Sequence, residues 1–182
     1  MVSVALDTSR LECRALRCRI LGIDPGLRHS GWGVIDDVRH AMEYRDGGII
    51  TPPVKEDISV RLAFLYRRVV EIIHVWKPHM VAMEESFVRT DNAKSSLLLG
   101  MARGALLAAA GCACVSVACY APNTIKRSLT SHGHGDKEQV MKMVMMVLPR
   151  APKGRKEDFY DALAVALCHA QHHSGGRMGR NV

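Results

Sequence analysis

Six cysteines stand at positions 13, 18, 112, 114, 119 and 168, yet no two of them form a C-x-x-C pair and no secretory signal precedes them. That spacing sets aside a zinc knuckle and a disulfide-stapled fold, and it predicts reduced, mostly buried thiols in a cytosolic protein. Internal repeats are absent, and so are low-complexity tracts before residue 174, which excludes a solenoid. Residues 104–125 lack any charge over 22 positions, long enough on length alone to span a bilayer. The segment is Ala- and Cys-rich, holds only two Leu, and is interrupted by Gly111, Tyr120, Pro122 and Asn123. A helix end, a turn and a buried strand account for it better than a membrane span. Acidic residues are the scarcer charge, 18 against 25 Lys and Arg, for a net charge of +7. A polyanionic partner is favoured, but only weakly, by that number.

What is present is an ordinary globular composition, 48% hydrophobic and 24% charged over 182 residues. This suits one compact α/β domain able to bury a core without staples. Residues 1–18 show little periodicity and read as a flexible N-terminal extension; Asp7 and Glu12 count against a transit peptide. From Arg19 the run R-I-L-G-I-D reads as a buried strand ending in a carboxylate and a D-P-G turn. S-G-W-G-V-I-D and M-E-Y-R-D-G-G-I-I follow at hairpin spacing. Asp57 or Ser59 can cap a helix with an apolar face of Leu62, Leu65, Val69, Ile72 and Ile73, stopped at Lys77-Pro78. M-V-A-M-E is a second apolar run ending in acid, then come an apolar helix over 92–110 and the strand V-S-V-A-C-Y. Helical patterns over 122–130, 136–148 and 158–173 complete a domain set at 19–173, and the tail 174–182 reads as disordered and basic. The order βββαβαβα with trailing helices is one mixed α/β layer fold.

Chemistry enters through the placement of acids. Asp24 and Glu84 each end an apolar run, with Glu85 beside the latter, and Asp158 and Asp161 share one helix face at i,i+3. Taken one at a time, a strand-end Asp makes a turn and an i,i+3 acid pair faces solvent. Here the strands are fully apolar and the helix pair opens the run A-L-A-V-A-L, so the carboxylates point toward the centre of the fold. Spacing alone leaves Glu84 or Glu85, and Glu157 or Asp158, open.

Five segments together carry a resemblance: I-L-G-I-D-P-G-L-R-H-S-G-W-G-V, M-E-E-S-F, L-G-M-A-R-G, D-K-E-Q-V and D-F-Y-D-A-L-A-V-A. In order and spacing they resemble the RuvC family of bacterial Holliday junction resolvases, over about Ile20 to His169. The resemblance implies an RNase H-like (retroviral integrase superfamily) α/β fold with a mixed five-stranded sheet flanked by helices. It implies a cytoplasmic homodimer that nicks two opposed strands of four-way junction DNA and works with the branch-migration complex RuvA-RuvB. It assigns the catalytic and metal-binding carboxylates to Asp24, Glu84, Asp158 and Asp161, choosing Glu84 over Glu85 and Asp158 over Glu157. Mg²⁺ prefers oxygen ligands and keeps several waters, so four carboxylates suit two such ions about 4 Å apart, with Mn²⁺ as a substitute. Without metal the four should repel one another, and at least one should hold its proton tightly. The expected reaction is direct in-line hydrolysis leaving 5′-phosphate and 3′-hydroxyl ends.

Eight Lys and Arg against three acids lie between 126 and 157, much of the chain's basic excess. Phosphate contacts would give sequence-independent, salt-sensitive affinity. Lys126 and Lys137 match lysines that matter in the family, and Arg127 and Lys142 join them as candidate DNA contacts. Phe87 reads from the residues as a core side chain or a base contact; the resemblance favours stacking on a base at the junction centre. Gly100-x-x-x-Gly104 permits close helix approach, within the chain or, by resemblance, at a dimer interface. The N-terminal extension has no family counterpart, and Ser131 and Gly135 replace a Gly and a small residue usual in that loop. Zinc at His132/His134 or His172/His173 is set aside in favour of a glycine-hinged loop. An actin-like ATPase would need a longer, duplicated chain, and a non-catalytic DNA-binding module would not need all four carboxylates. The alternative that survives is another RNase H-like nuclease, of the RNase H or pre-rRNA processing type.

Overall fold

The structure is a computed structural model that describes residues 17–39, 41–85, 93–130 and 137–175. Five strands form one sheet in the order β3-β2-β1-β4-β5. β1 (Cys18–Asp24), β2 (Ser30–Val38) and β3 (Ala41–Ile50) are an antiparallel meander. β4 (Met80–Glu84) and β5 (Ser116–Tyr120) then add parallel to β1. The parallel strands need crossovers, and these are helices α1 (Ile58–Trp76) and α2 (Ala93–Cys112). After β5 come α3 (Pro122–Leu129), α4 (Lys137–Val147) and α5 (Glu157–Gly175).

The two sides of the sheet carry separate cores. Leu21, Ile23, Val34, Val81 and Met83 pack with Leu65, Val69 and Ile72 of α1 and Ala102, Leu106 and Ala109 of α2. On the opposite side Ile20, Ile35 and Ala82 pack with Phe159, Leu163 and Leu167 of α5, backed by Ile125 of α3 and Val144 of α4. Strand side chains alternate between faces, so on β1 the residues 18, 20, 22 and 24 share the α5 side. α5 is apolar nearly all round because it is enclosed by sheet and helices: Phe159 to Ala170 is buried at every position but Asp161. It lies close to the sheet because β1 and β2 offer glycines beneath it. A Cβ on Gly22 would strike the carbonyl oxygen of Ala162, and one on Gly31 would strike that of Asp158.

The elements expected from periodicity all form, with end shifts of a few residues. α1 is preceded by Asp57, extended at φ −60 and ψ 155, which makes no side-chain cap bond; Ser59 lies inside the helix. Lys77 ends it in the left-handed region, φ 47, donating its N–H to Ile73 O at 2.8 Å. Arg17 and Cys18, counted with the extension on sequence, belong to the fold. Cys18 starts β1, and Arg17, Arg19 and Arg45 all pair with the buried carboxylate of Asp36. The thiol expectation needs correcting. Cys18 is disulfide-bonded, and of the free thiols Cys112 and Cys114 are exposed, Cys119 is half-buried and only Cys168 is buried. The uncharged stretch from Gly104 resolves into the end of α2, a turn with Cys114 at φ 56, β5 and the start of α3. α2 is long and apolar enough by length and composition to cross a membrane. In the fold it packs its Ala102–Leu106–Ala109 face beside α1.

Candidate active site

The site forms where two neighbouring parallel strands end. β1 and β4 pair in the register Leu21–Val81, Gly22–Ala82 and Ile23–Met83, so Asp24 and Glu84 fall side by side at the same end of the sheet. Both lie on the face toward α5, as the alternation from Gly22 and Ala82 requires. α5 begins above that end, and its first turns bring Asp158 and Asp161 down to the strand ends. All four carboxylates line one cleft of about 340 Å³, with Lys126 of α3 and Lys137 of α4 on its wall and Pro122, Ile125, Val140 and Ala164 as its apolar floor. Each carboxylate is half-buried.

Their proton affinities show how unfavourable this grouping is without a counter-ion. Burial, then the charges of Glu84, Asp161 and Asp158, push Asp24 up to about 8, against a partial offset from Lys137. Burial and Asp161 push Glu84 up to about 7, with Lys126 and Lys137 opposing. Asp161 is raised as well, by burial first and by Glu157 and Asp158, while Lys137 and Lys126 hold it down. The expected competition for protons is therefore present, and the two lysines moderate it. Lys137 is itself raised, chiefly through its hydrogen bond to Glu157 Oε2 at 2.9 Å.

This donor set fits hard divalent cations: all-oxygen, four formal negative charges, partly desolvated and closely coupled. Among the described residues no group of three or more His, Cys, Asp or Glu is gathered tightly enough to hold a metal ion as the side chains stand. Asp24, Glu84, Asp158 and Asp161, which line the cleft together, are the residues that could hold such a cation.

The other candidates fall in different places. Arg127 is exposed on α3 and Lys142 on α4, where Lys142 pairs with Glu138 at 2.7 Å; neither lines the cleft. Phe87, His132, His134, Ser131 and Gly135 lie outside the described residues. His172 and His173 lie far along α5, at its C-terminal end. The flank beyond Asp158 drew no candidate from the sequence, yet it holds a second cavity of about 380 Å³ lined by Arg28, His29 and Arg61. Arg28 sits in the conspicuous D-P-G-L-R-H turn, but nothing in the sequence brings Arg61 of α1 to it.

A mixed sheet in this order, with acids at the ends of its first and fourth strands and on the last helix, defines an RNase H-like nuclease. The crossover junction endodeoxyribonuclease RuvC family model matches residues 20–169. A RuvC of Bartonella henselae is 45% identical over 157 residues, covering 86% of this chain and 92% of that protein. A RuvC of Brucella anthropi is 41% identical over 154 residues, covering 85% and 88%. Among solved structures, Thermus thermophilus RuvC in complex with a Holliday junction substrate aligns with TM-score 0.81 at 35% identity, over 87% of this chain and 96% of that one. The chain belongs to the RuvC family of crossover junction endodeoxyribonucleases, a family of soluble, metal-dependent nucleases.

Proposed function

We propose that the chain resolves four-way DNA junctions in recombination and repair by nicking two opposed strands symmetrically, leaving 5′-phosphate and 3′-hydroxyl ends. The observation that carries this reading is the sharing of one cleft by Asp24, Glu84, Asp158, Asp161, Lys126 and Lys137. The four carboxylates are assigned to hold Mg²⁺, as two ions per subunit, with Mn²⁺ able to substitute. Bound there, the metal supplies a lowered pKa for the attacking water and neutralises charge on the phosphodiester. The protein's own part is to gather the carboxylates in a partly dry cleft and to offset phosphate charge with Lys126 and Lys137. Lys137 reaches the cleft wall while bonded to Glu157, so its ammonium is oriented before substrate arrives. Arg127, Lys142 and Phe87 are assigned to wider contacts with the DNA, Phe87 to a base at the junction centre.

A homodimer suits paired nicks, and α2 offers a face for it. Leu97 and Met101 are exposed, and a Cβ built on Gly100 or Gly104 would meet nothing within 4 Å among the described residues. The close intrachain contact that Gly100-x-x-x-Gly104 could have served is therefore not made by the described residues. The reading places the enzyme in the cytoplasm with the chromosome, as the partner of a RuvA-RuvB branch-migration complex. The test is incubation with labelled four-way junction, linear duplex and RNA–DNA hybrid, each with Mg²⁺ and with EDTA. Paired symmetric nicks in the junction alone, abolished by EDTA, are the expected result. Efficient cleavage of the hybrid beside an intact junction would favour the RNase H-type alternative.

A further inference from the structure

We propose that Arg28 and Arg61 form a second phosphate-binding site, which takes a DNA backbone phosphate on the side of Asp158 opposite Lys126 and Lys137. The inference rests on the junction-cutting reading above and deepens it. Asp158 lines both cavities, so a strand crossing the carboxylates continues from the lysine wall into the pocket of Gly26, Leu27, Arg28, His29 and Arg61. Asp158 is the one acid in the described lining of that pocket.

The pocket is built rather than incidental. Its floor is the turn after β1, fixed by the fully buried Ser30, whose hydroxyl accepts from Gly26 N at 2.9 Å and donates to Gly26 O at 2.6 Å. Arg61 reaches over from α1 and donates Nη2 to Leu27 O at 2.9 Å, which locks turn and helix together. Its Nε is buried and finds no acceptor among the described residues. Held by its bond to Leu27 O, the guanidinium contributes a fixed positive charge to the cavity wall, which favours a phosphate there. Arg28 stands exposed at the rim of the same turn. A forked guanidinium held on a rigid turn loses little side-chain freedom on gripping a phosphate. Two cationic walls astride one set of carboxylates would hold the scissile phosphodiester from both sides, so this pair acts as a positioning device.

The test uses the full chain with a four-way junction. Arg28→Gln, Arg28→Lys and Arg61→Lys are compared with Arg68→Gln, which removes one charge two turns further along α1. Arg28→Gln and Arg61→Lys should each raise KM about fivefold or more with kcat within about twofold. Arg28→Gln should also lower the slope of log Kd against log salt by about one, whereas Arg28→Lys should stay near wild type. Melting curves confirm that each variant is folded, and Arg28→Gln, at an exposed position, keeps the test sound if Arg61→Lys is unstable. An unchanged KM and salt slope in Arg28→Gln, or an equal effect in Arg68→Gln, would overturn the inference. A pocket that binds inorganic phosphate through Arg28 but leaves junction KM untouched would overturn it too, as a free-anion site. Failure of the wild-type chain to cut junctions would instead sink the reading on which it rests.

Discussion

Asp24 sits where chemistry and stability pull against each other. Its carboxyl ordinarily loses its proton near 3.8, and in the fold it holds it to about 8. A group whose folded pKa is raised favours the fold at pH below its ordinary value and loses that contribution as pH climbs through the folded value. Metal-free protein should therefore weaken steadily between about pH 4 and 8, and Asp24→Asn should remove much of that loss. The expected gain in EDTA at pH 8 is about 2 kcal/mol or more, with little gain at pH 5. Parallel thermal melts across pH would show it. The same variant should lose nicking by at least about 10³-fold while still binding the junction. A variant that still cuts, or one whose metal-free melting point tracks wild type at every pH, defeats the assignment. His169 carries the opposite sign. Burial, then His173 and His172, depress it from 6.5 to about 4, and its Nδ1 bonds to Tyr120 Oη at 2.7 Å. A depressed group stabilises above its ordinary value, so stability should fall by about 3 kcal/mol as pH drops from 6.5 to 4. His169→Gln should flatten the urea-midpoint profile in that window; an unaltered slope would mean the acid sensitivity lies elsewhere.

At the scale of elements, α5 is the keystone because it delivers two carboxylates and caps the sheet. Its seating depends on glycine. Gly22→Ala would push a methyl into the Ala162 carbonyl and within 2.8 Å of Ala166 Cβ. Backbone on one side leaves little room to yield, so a cost of about 2–3 kcal/mol is expected. Lifting α5 should also part Asp158 and Asp161 from Asp24, so activity should fall further than the folded fraction does. Denaturant midpoints set beside kcat measure both; a variant as stable and active as wild type would contradict this packing. These cases show what could be read in the chain. R-I-L-G-I-D and M-V-A-M-E announced strands, because apolar runs that end in acid report burial and direction locally. That Asp24 lies beside Glu84 depends on the parallel pairing of β1 with β4 at an offset of 60 in residue number, which the resemblance supplied and periodicity could not. Asp36 drawing arginines from positions 17, 19 and 45, the Arg28–Arg61 pocket and the Tyr120–His169 bond were not legible for the same reason. Each joins side chains whose partners are fixed only once the sheet is ordered.

On the scale of the whole molecule, one cleft can cut one strand, so paired nicks call for two copies. Leu97, Gly100, Met101 and Gly104 follow one another at helical spacing, on a face of α2 that leaves Leu97 61% exposed and both glycines open. Opposite them Ala102, Leu106 and Ala109 are already committed to the core. Small residues at i,i+4 let a second backbone approach closely, and a flanking Leu and Met would supply the apolar area that such a contact removes from water. Leu97→Glu should place a charge in that contact without touching the core or the carboxylate cleft. Sedimentation velocity should then show a shift from dimer to monomer, with helical content and melting cooperativity retained. Junction nicking should fall at least about tenfold at low protein concentration and partly recover as concentration rises, since mass action restores the pair. Nicks that remain should come singly, on one strand per junction, because monomers reach the two strands independently. A Leu97→Glu chain that stays dimeric and cuts in pairs would move the interface away from this face of α2, leaving the chemistry of the single cleft as argued.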